Sequence, residues 1–145
     1  MDDNITLLEG LELFQEKNKK YFSSHHGSVS GNEFLKHHDI AHVVFGCNTS
    51  IYGEGVVKIW TTFGTTLSFG KVISGYKNAS AFELAKKYSL GHVLKNIFRF
   101  LAAVPKTIIR AKKMTKPWPF VDYSSYLHTS LSEIRREFNI KVIDS

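Results

Sequence analysis

Apolar residues in this chain recur at intervals of three and four, the spacing that places them along one side of an α-helix. Leu7, Leu8, Leu11 and Phe14 give one such stripe. Leu90, Val93, Leu94, Ile97, Phe98, Leu101, Val104 and Ile108 give a longer one, and Leu127, Leu131, Ile134 and Phe138 a third. Sustained strict alternation, the mark of a half-buried strand, is missing. The chain is therefore predicted to be mostly helical, a single-domain compact bundle of about six to seven helices spanning residues 1–145. Its 145 residues suit one domain and bury enough surface to need no staple. A hydrophobic fraction of 43% with 22% charged residues excludes collagen-like, low-complexity and disordered architectures.

Local signals set the expected boundaries. An opening helix is predicted over residues 5–22, followed by a polar turn containing Gly27. Ser30 and Glu33 have the spacing of a capping box, in which hydroxyl and carboxylate each satisfy an orphan backbone donor. The helix they open is expected from Gly31 to about Phe45, with Gly46 at a left-handed C-terminal position. Between Gly46 and Gly75 the pattern is ambiguous. Val56-Val57-Lys58-Ile59-Trp60 reads as strand by propensity, whereas Ile59, Trp60 and Phe63 fit a helical stripe. Ser80 and Glu83 form a second capping box before a helix that Gly91 interrupts. Pro105 is expected to end or kink the helix that follows. Lys116-Pro117-Trp118-Pro119 reads as a rigid connector.

The formal charge of +6 is unevenly placed. No acidic residue lies between Glu83 and Asp122, while nine lysines and arginines do; the rest of the chain holds ten basic and 13 acidic residues. This segment is predicted to be a helix with one apolar and one basic face. Such a surface suits anionic lipid, nucleic acid or a phosphorylated ligand, or is simply a solvated helix face. No recognition helix, ribonucleoprotein motif or zinc finger is present, so nucleic acid is not an expected partner and an anionic membrane surface is preferred. No run of residues is long and apolar enough to span a bilayer, and the acidic start Met1-Asp2-Asp3 is unlike a secretory signal. Cys47 is the sole cysteine, which excludes a disulfide framework and fits a reducing compartment. A cytoplasmic, peripheral membrane-associated protein is expected.

Seven histidines offer chemistry. His38 and His42 stand four residues apart, about 40° around a helix, with Asp39 about 100° from His38. Two imidazoles at that spacing can converge on one cation, or form a polar network with Asp39. Glu54 lies 12 residues past His42, beyond the turn at Gly46, flanked by Gly53 and Gly55, which allow close backbone approach. The candidate metal ligands are His38, Asp39, His42 and Glu54, with the polar network as the alternative reading. Two imidazoles and two carboxylates suit a divalent ion such as zinc, iron, manganese or cobalt. His37 faces elsewhere and is expected to be exposed; His25, His26, His92 and His128 are assigned no role.

His38-Asp39-x-x-His42, eleven intervening residues and Glu54 resemble the metal signature of the fourth-numbered (Coq-four) family of ubiquinone, or coenzyme Q, biosynthesis proteins. Gly46, Thr49, Gly53 and Lys58 fall where the resemblance wants them, and the closing stretch Leu131 to Ile140 is similar to the way such chains end. The resemblance covers about residues 29–140. It departs just before the His-Asp pair, where Leu35-Lys36-His37 replaces the usual arginine and glutamate.

The resemblance implies an all-helical fold, a divalent metal (zinc first) on His38, Asp39, His42 and Glu54, and peripheral membrane association. It also implies a homodimer or a quinone-biosynthesis complex, and oxidative decarboxylation at ring carbon one of a polyprenylated 4-hydroxybenzoate-derived lipid. Two further readings compete: a non-catalytic prenyl-lipid-binding or scaffolding protein, and a metal-dependent phosphohydrolase drawing on His25 or His26 and Asp122.

Overall fold

The structure, a computed structural model, describes residues 3–19, 29–78 and 90–143. Among these residues it is all-α, with six α-helices and no strand. They are α1 (Leu7–Lys17), α2 (Val29–Phe45), α3 (Ile51–Gly64), α4 (Phe69–Asn78), α5 (Leu90–Lys112) and α6 (Leu131–Glu137), with a 3-10 turn at Ser124–Tyr126.

Thr6 opens α1 through a reciprocal capping box with Glu9, and α1 buries Leu7, Gly10, Leu11 and Phe14. It ends at Lys17 rather than near residue 22, because the Asn18 side chain and backbone both turn back to donate to the Phe14 carbonyl. Helix α2 begins at Val29, so Ser30 lies inside its first turn and not at its cap. Its end is as expected. Gly46 takes a positive φ of 67°, its N–H donates to the Val43 carbonyl, and the Cys47 N–H donates to the His42 carbonyl. That pair of bonds is a Schellman motif.

The ambiguous stretch 56–60 is helical, inside α3, which Ser50 caps by accepting from the Gly53 N–H. Burial decided it: Val56, Val57, Trp60 and Thr61 share one face of a single helix, and Trp60 stacks on Phe45 of α2 with ring centroids 4.6 Å apart.

Helix α5 overturns two expectations. Pro105 neither ends it nor separates two helices; the helix runs through to Lys112. Pro105 and Leu101 both lie on the solvent side, where water can serve the carbonyl that loses its donor. Nor does α5 divide into one apolar and one basic face. Phe98 and Leu101, from the predicted core stripe, are exposed, while Phe100, Ala103, Thr107 and Ala111 face inward. The reason is the partner helix. At Gly55 an added Cβ would stand 2.6 Å from the Phe100 ring, and at Gly64 it would meet Met114 and Ala111. Helices α3 and α5, the most extensively paired in the molecule, approach on small residues that carry little hydropathic signal. The second capping box, Ser80–Glu83, lies outside the described residues, as do the side chains of residues 90–97.

The connector at 116–119 is more than a spacer. The Trp118 N–H donates to the Gly64 carbonyl and the Trp118 carbonyl accepts from Thr66, so the end of α3 is pinned. The indole is fully buried against Tyr126 and Phe138. Helix α6 opens on a Ser130–Glu133 capping box and buries Leu131 and Ile134; Leu127 packs against the core from just before it. Among the described residues no helix is long and apolar enough to cross a membrane.

Candidate metal centre

Helix α2 carries His38 and His42 one turn apart, the Gly46 turn reverses the chain, and the first turn of α3 returns Glu54 toward them. Three side chains converge. His42 Nε2 lies 3.1 Å from His38 Nε2 and 3.2 Å from Glu54 Oε1, while His38 Nε2 lies 3.4 Å from Glu54 Oε2. All three side chains are buried, and among the described residues they alone form a group with metal-ligand spacing. Ligands about 2.0–2.1 Å from a tetrahedral zinc stand about 3.3 Å apart, which is the scale of the separations seen here.

The surroundings fix each donor. His42 Nδ1 lies 3.1 Å from the Cys47 carbonyl; a proton on Nδ1 is donated there, which leaves Nε2 with its lone pair toward the group. The ring also stacks on Phe14 of α1 at 5.1 Å, and that of His38 stacks on Phe34. The Schellman turn therefore serves twice: it stops α2 and presents the carbonyl that sets the His42 tautomer. Gly53 is required on the other side of the turn, since a Cβ there would stand 2.1 Å from the Asn48 carbonyl oxygen. The glycines beside Glu54 answer to close approach, as their sequence position suggested.

Electrostatics agree with the donor set. Burial lowers the His38 pKa, favouring the neutral imidazole that a metal needs. Burial pushes Glu54 upward, but the two imidazoles beside it outweigh burial and hold the carboxyl well below its usual range. A buried carboxylate is negative charge that a cation would offset.

Asp39, the fourth predicted ligand, is also buried but stands outside the three converging side chains. Its carboxylate accepts from Gln15 Nε2 of α1 at 3.4 Å, and burial pushes its pKa to about 7. His37, expected at the surface, is instead half-buried against the rings of Phe120 and Tyr123. His128 and Asp122 are exposed; His25, His26 and the His92 side chain lie outside the described residues. Sequence reasoning missed the supporting groups: the Cys47 carbonyl, Phe14, Gln15 and Arg135. Backbone carbonyls and packed rings leave no spacing signature. Arg135 sits on the last helix, yet Nε and Nη2 donate to the Val44 and Val43 carbonyls at 3.0 and 2.9 Å, closing the end of α2, and Nη1 reaches Asp3.

Residues 32–144 match the profile of a family described as coenzyme Q (ubiquinone) biosynthesis protein Coq4. The chain belongs to this family. Neither the curated proteins nor the solved structures hold a match to it. The Coq4 match takes in α2 from its first turn and all of α3, so His38, His42 and Glu54 are inside it together with Asp39. Membership places the chain in coenzyme Q biosynthesis, and the three-residue group gives this Coq4 protein a site able to hold a divalent metal.

Proposed function

We propose that this protein carries out metal-dependent oxidative decarboxylation at ring carbon one of a polyprenylated 4-hydroxybenzoate-derived precursor of coenzyme Q. The observation that carries the reading is the buried His38–His42–Glu54 group inside the family match. Two imidazoles and one carboxylate are a donor set of catalytic zinc centres, which keep a position open for substrate. When bound, the metal supplies Lewis acidity toward a substrate carboxylate or phenolate oxygen.

The chain's own residues orient and exclude. Cys47 and Phe14 hold the His42 ring, Phe34 holds that of His38, and the two imidazoles fix both oxygens of Glu54. Asp39, at the edge of the group under Gln15, is the further carboxylate available to complete the coordination or accept a proton. In the reaction the ring–carboxylate bond breaks and carbon dioxide leaves. A bond from that ring carbon to the oxygen of a water forms as the water loses a proton, and the two electrons that the substrate gives up reduce dioxygen to hydrogen peroxide. The prenyl tail requires the protein to work against a membrane.

The test combines metal analysis with product. Purified wild-type protein is expected to hold near-stoichiometric metal and to release carbon dioxide from a carboxyl-labelled prenylated 4-hydroxybenzoate under air. His38→Ala and Glu54→Ala should lose both. Wild-type protein that keeps metal and binds the lipid yet releases no carbon dioxide overturns the catalytic reading in favour of lipid binding.

A further inference from the structure

Helix α5 has two apolar sides, and the bundle uses one. Phe100, Ala103, Thr107 and Ala111 pack inward, whereas Phe98 is 71% exposed, Leu101 57% and Ile109 53%. With the exposed Ala102 and Pro105 they share an arc of about 100° on the side opposite the core, about 16 Å long. An apolar stripe of this kind facing water marks an interaction surface.

The charges beside it say what covers it. Lys106 and Lys113 border one edge of the stripe, Lys112 lies just past its C-terminal end, and all three are exposed. No acidic residue occurs between positions 84 and 121, so nothing on α5 offsets them. We infer that the outer face of α5 docks on an anionic lipid bilayer, with Phe98, Leu101 and Ile109 inserted at the headgroup–acyl boundary and the three lysines on lipid phosphates. Apolar insertion flanked by lysines whose stems lie along the interface is how amphipathic helices rest on membranes. A second copy of the chain is a poorer occupant, since a two-fold contact through this face would set like charges against one another.

The placement matters for the site. Phe100 of α5 lies against Gly55, the residue after Glu54, and the Arg99 guanidinium stands 4.7 Å over the Tyr52 ring of α3. The helix that supplies the carboxylate is thus the one directly beneath the docking helix. The inference does not depend on the ring chemistry: a protein that docks through α5 but leaves the carboxylated lipid unchanged keeps it and loses the proposed reaction.

Vesicle flotation tests it, with phosphatidylcholine alone and with added phosphatidylglycerol. Wild-type protein should float with the anionic vesicles and be released by salt. The exposed triple variant Phe98→Ser/Leu101→Ser/Ile109→Ser should keep its helical circular dichroism and metal content while partitioning falls about tenfold or more. Lys106→Glu/Lys112→Glu/Lys113→Glu should abolish the preference for anionic lipid. Because Trp60 and Trp118 are buried, Phe98→Trp gives an interfacial probe whose emission should shift to the blue and be quenched by brominated lipid. Failure of the wild-type protein to float with either vesicle, or unchanged flotation of the serine variant, overturns the inference. A wild-type dimer in solution that the serine variant converts to monomer also overturns it and assigns the face to self-association.

Discussion

His38, His42 and Glu54 are held with their donor atoms facing one another, all within 3.4 Å of a neighbour in the group. Two imidazole nitrogens 3.1 Å apart repel if both present lone pairs, and the Cys47 carbonyl already takes the Nδ1 proton of His42. Glu54→Gln keeps the side chain's size and removes its charge. It is expected to lower bound zinc from about one equivalent to well under half, read by elemental analysis of dialysed protein. Asp39 lies at the edge of the group and already accepts from Gln15, so Asp39→Asn should retain most of the metal. Equal loss in both variants would make Asp39 a full ligand and require its side chain to turn from Gln15 inward.

At the level of elements, the site depends on how α2 ends and α3 begins. Gly53→Ala tests the beginning. In an ordinary helix the change would favour folding, but here the new methyl group meets the Asn48 carbonyl oxygen, which is backbone and cannot swing aside. The first turn of α3 must shift, carrying Glu54 with it. A destabilisation of about 1–3 kcal/mol is expected in denaturant titrations, with weakened metal retention. Arg135→Met tests the end of α2: it leaves the Val43 and Val44 carbonyls without their charged donor and should cost about 2–3 kcal/mol. Lysine at 135 should recover only part, since one ammonium cannot span both carbonyls as the guanidinium fork does.

These elements also show what could be read from the sequence. The pair at 38 and 42, the stop at Gly46 and the glycines around Glu54 were legible because each reflects a local rule of helix geometry or close approach. So were the Thr6–Glu9 and Ser130–Glu133 capping boxes, which obey the rule applied to Ser30 and went unread. The inner face of α5 was not legible, since glycine, alanine and threonine pack tightly without a hydropathic signal and the larger residues drew the periodicity to the outer side. Nor was the helix at 56–60, where β-branched residues favour a strand locally and burial against α2 and α5 decides otherwise. The role of Arg135 and the burial of His37 were not legible for one reason: their partners lie far away in the chain, at 43–44 and at 120–123.

For the molecule as a whole, the candidate centre lies where several helices meet. Helices α2 and α3 supply the ligands, α1 lays Phe14 on His42, and α6 reaches the end of α2 through Arg135. A metal bound only in the folded state stabilises all of them together, by about 2.7 kcal/mol when free metal is a hundredfold above its dissociation constant. For a chain of this length that corresponds to an upward shift in Tm of about 8 °C. Thermal unfolding of the wild-type protein in zinc and in a chelator should show this difference. Glu54→Gln should show almost none, because it has little metal to lose. The two proteins should also differ less in chelator than in zinc, since only the wild-type fold gains from the bound ion. A wild-type Tm indifferent to chelation, in protein shown to contain the metal, would mean that the ion sits on a surface the fold does not need, and the buried three-residue group would no longer be its site.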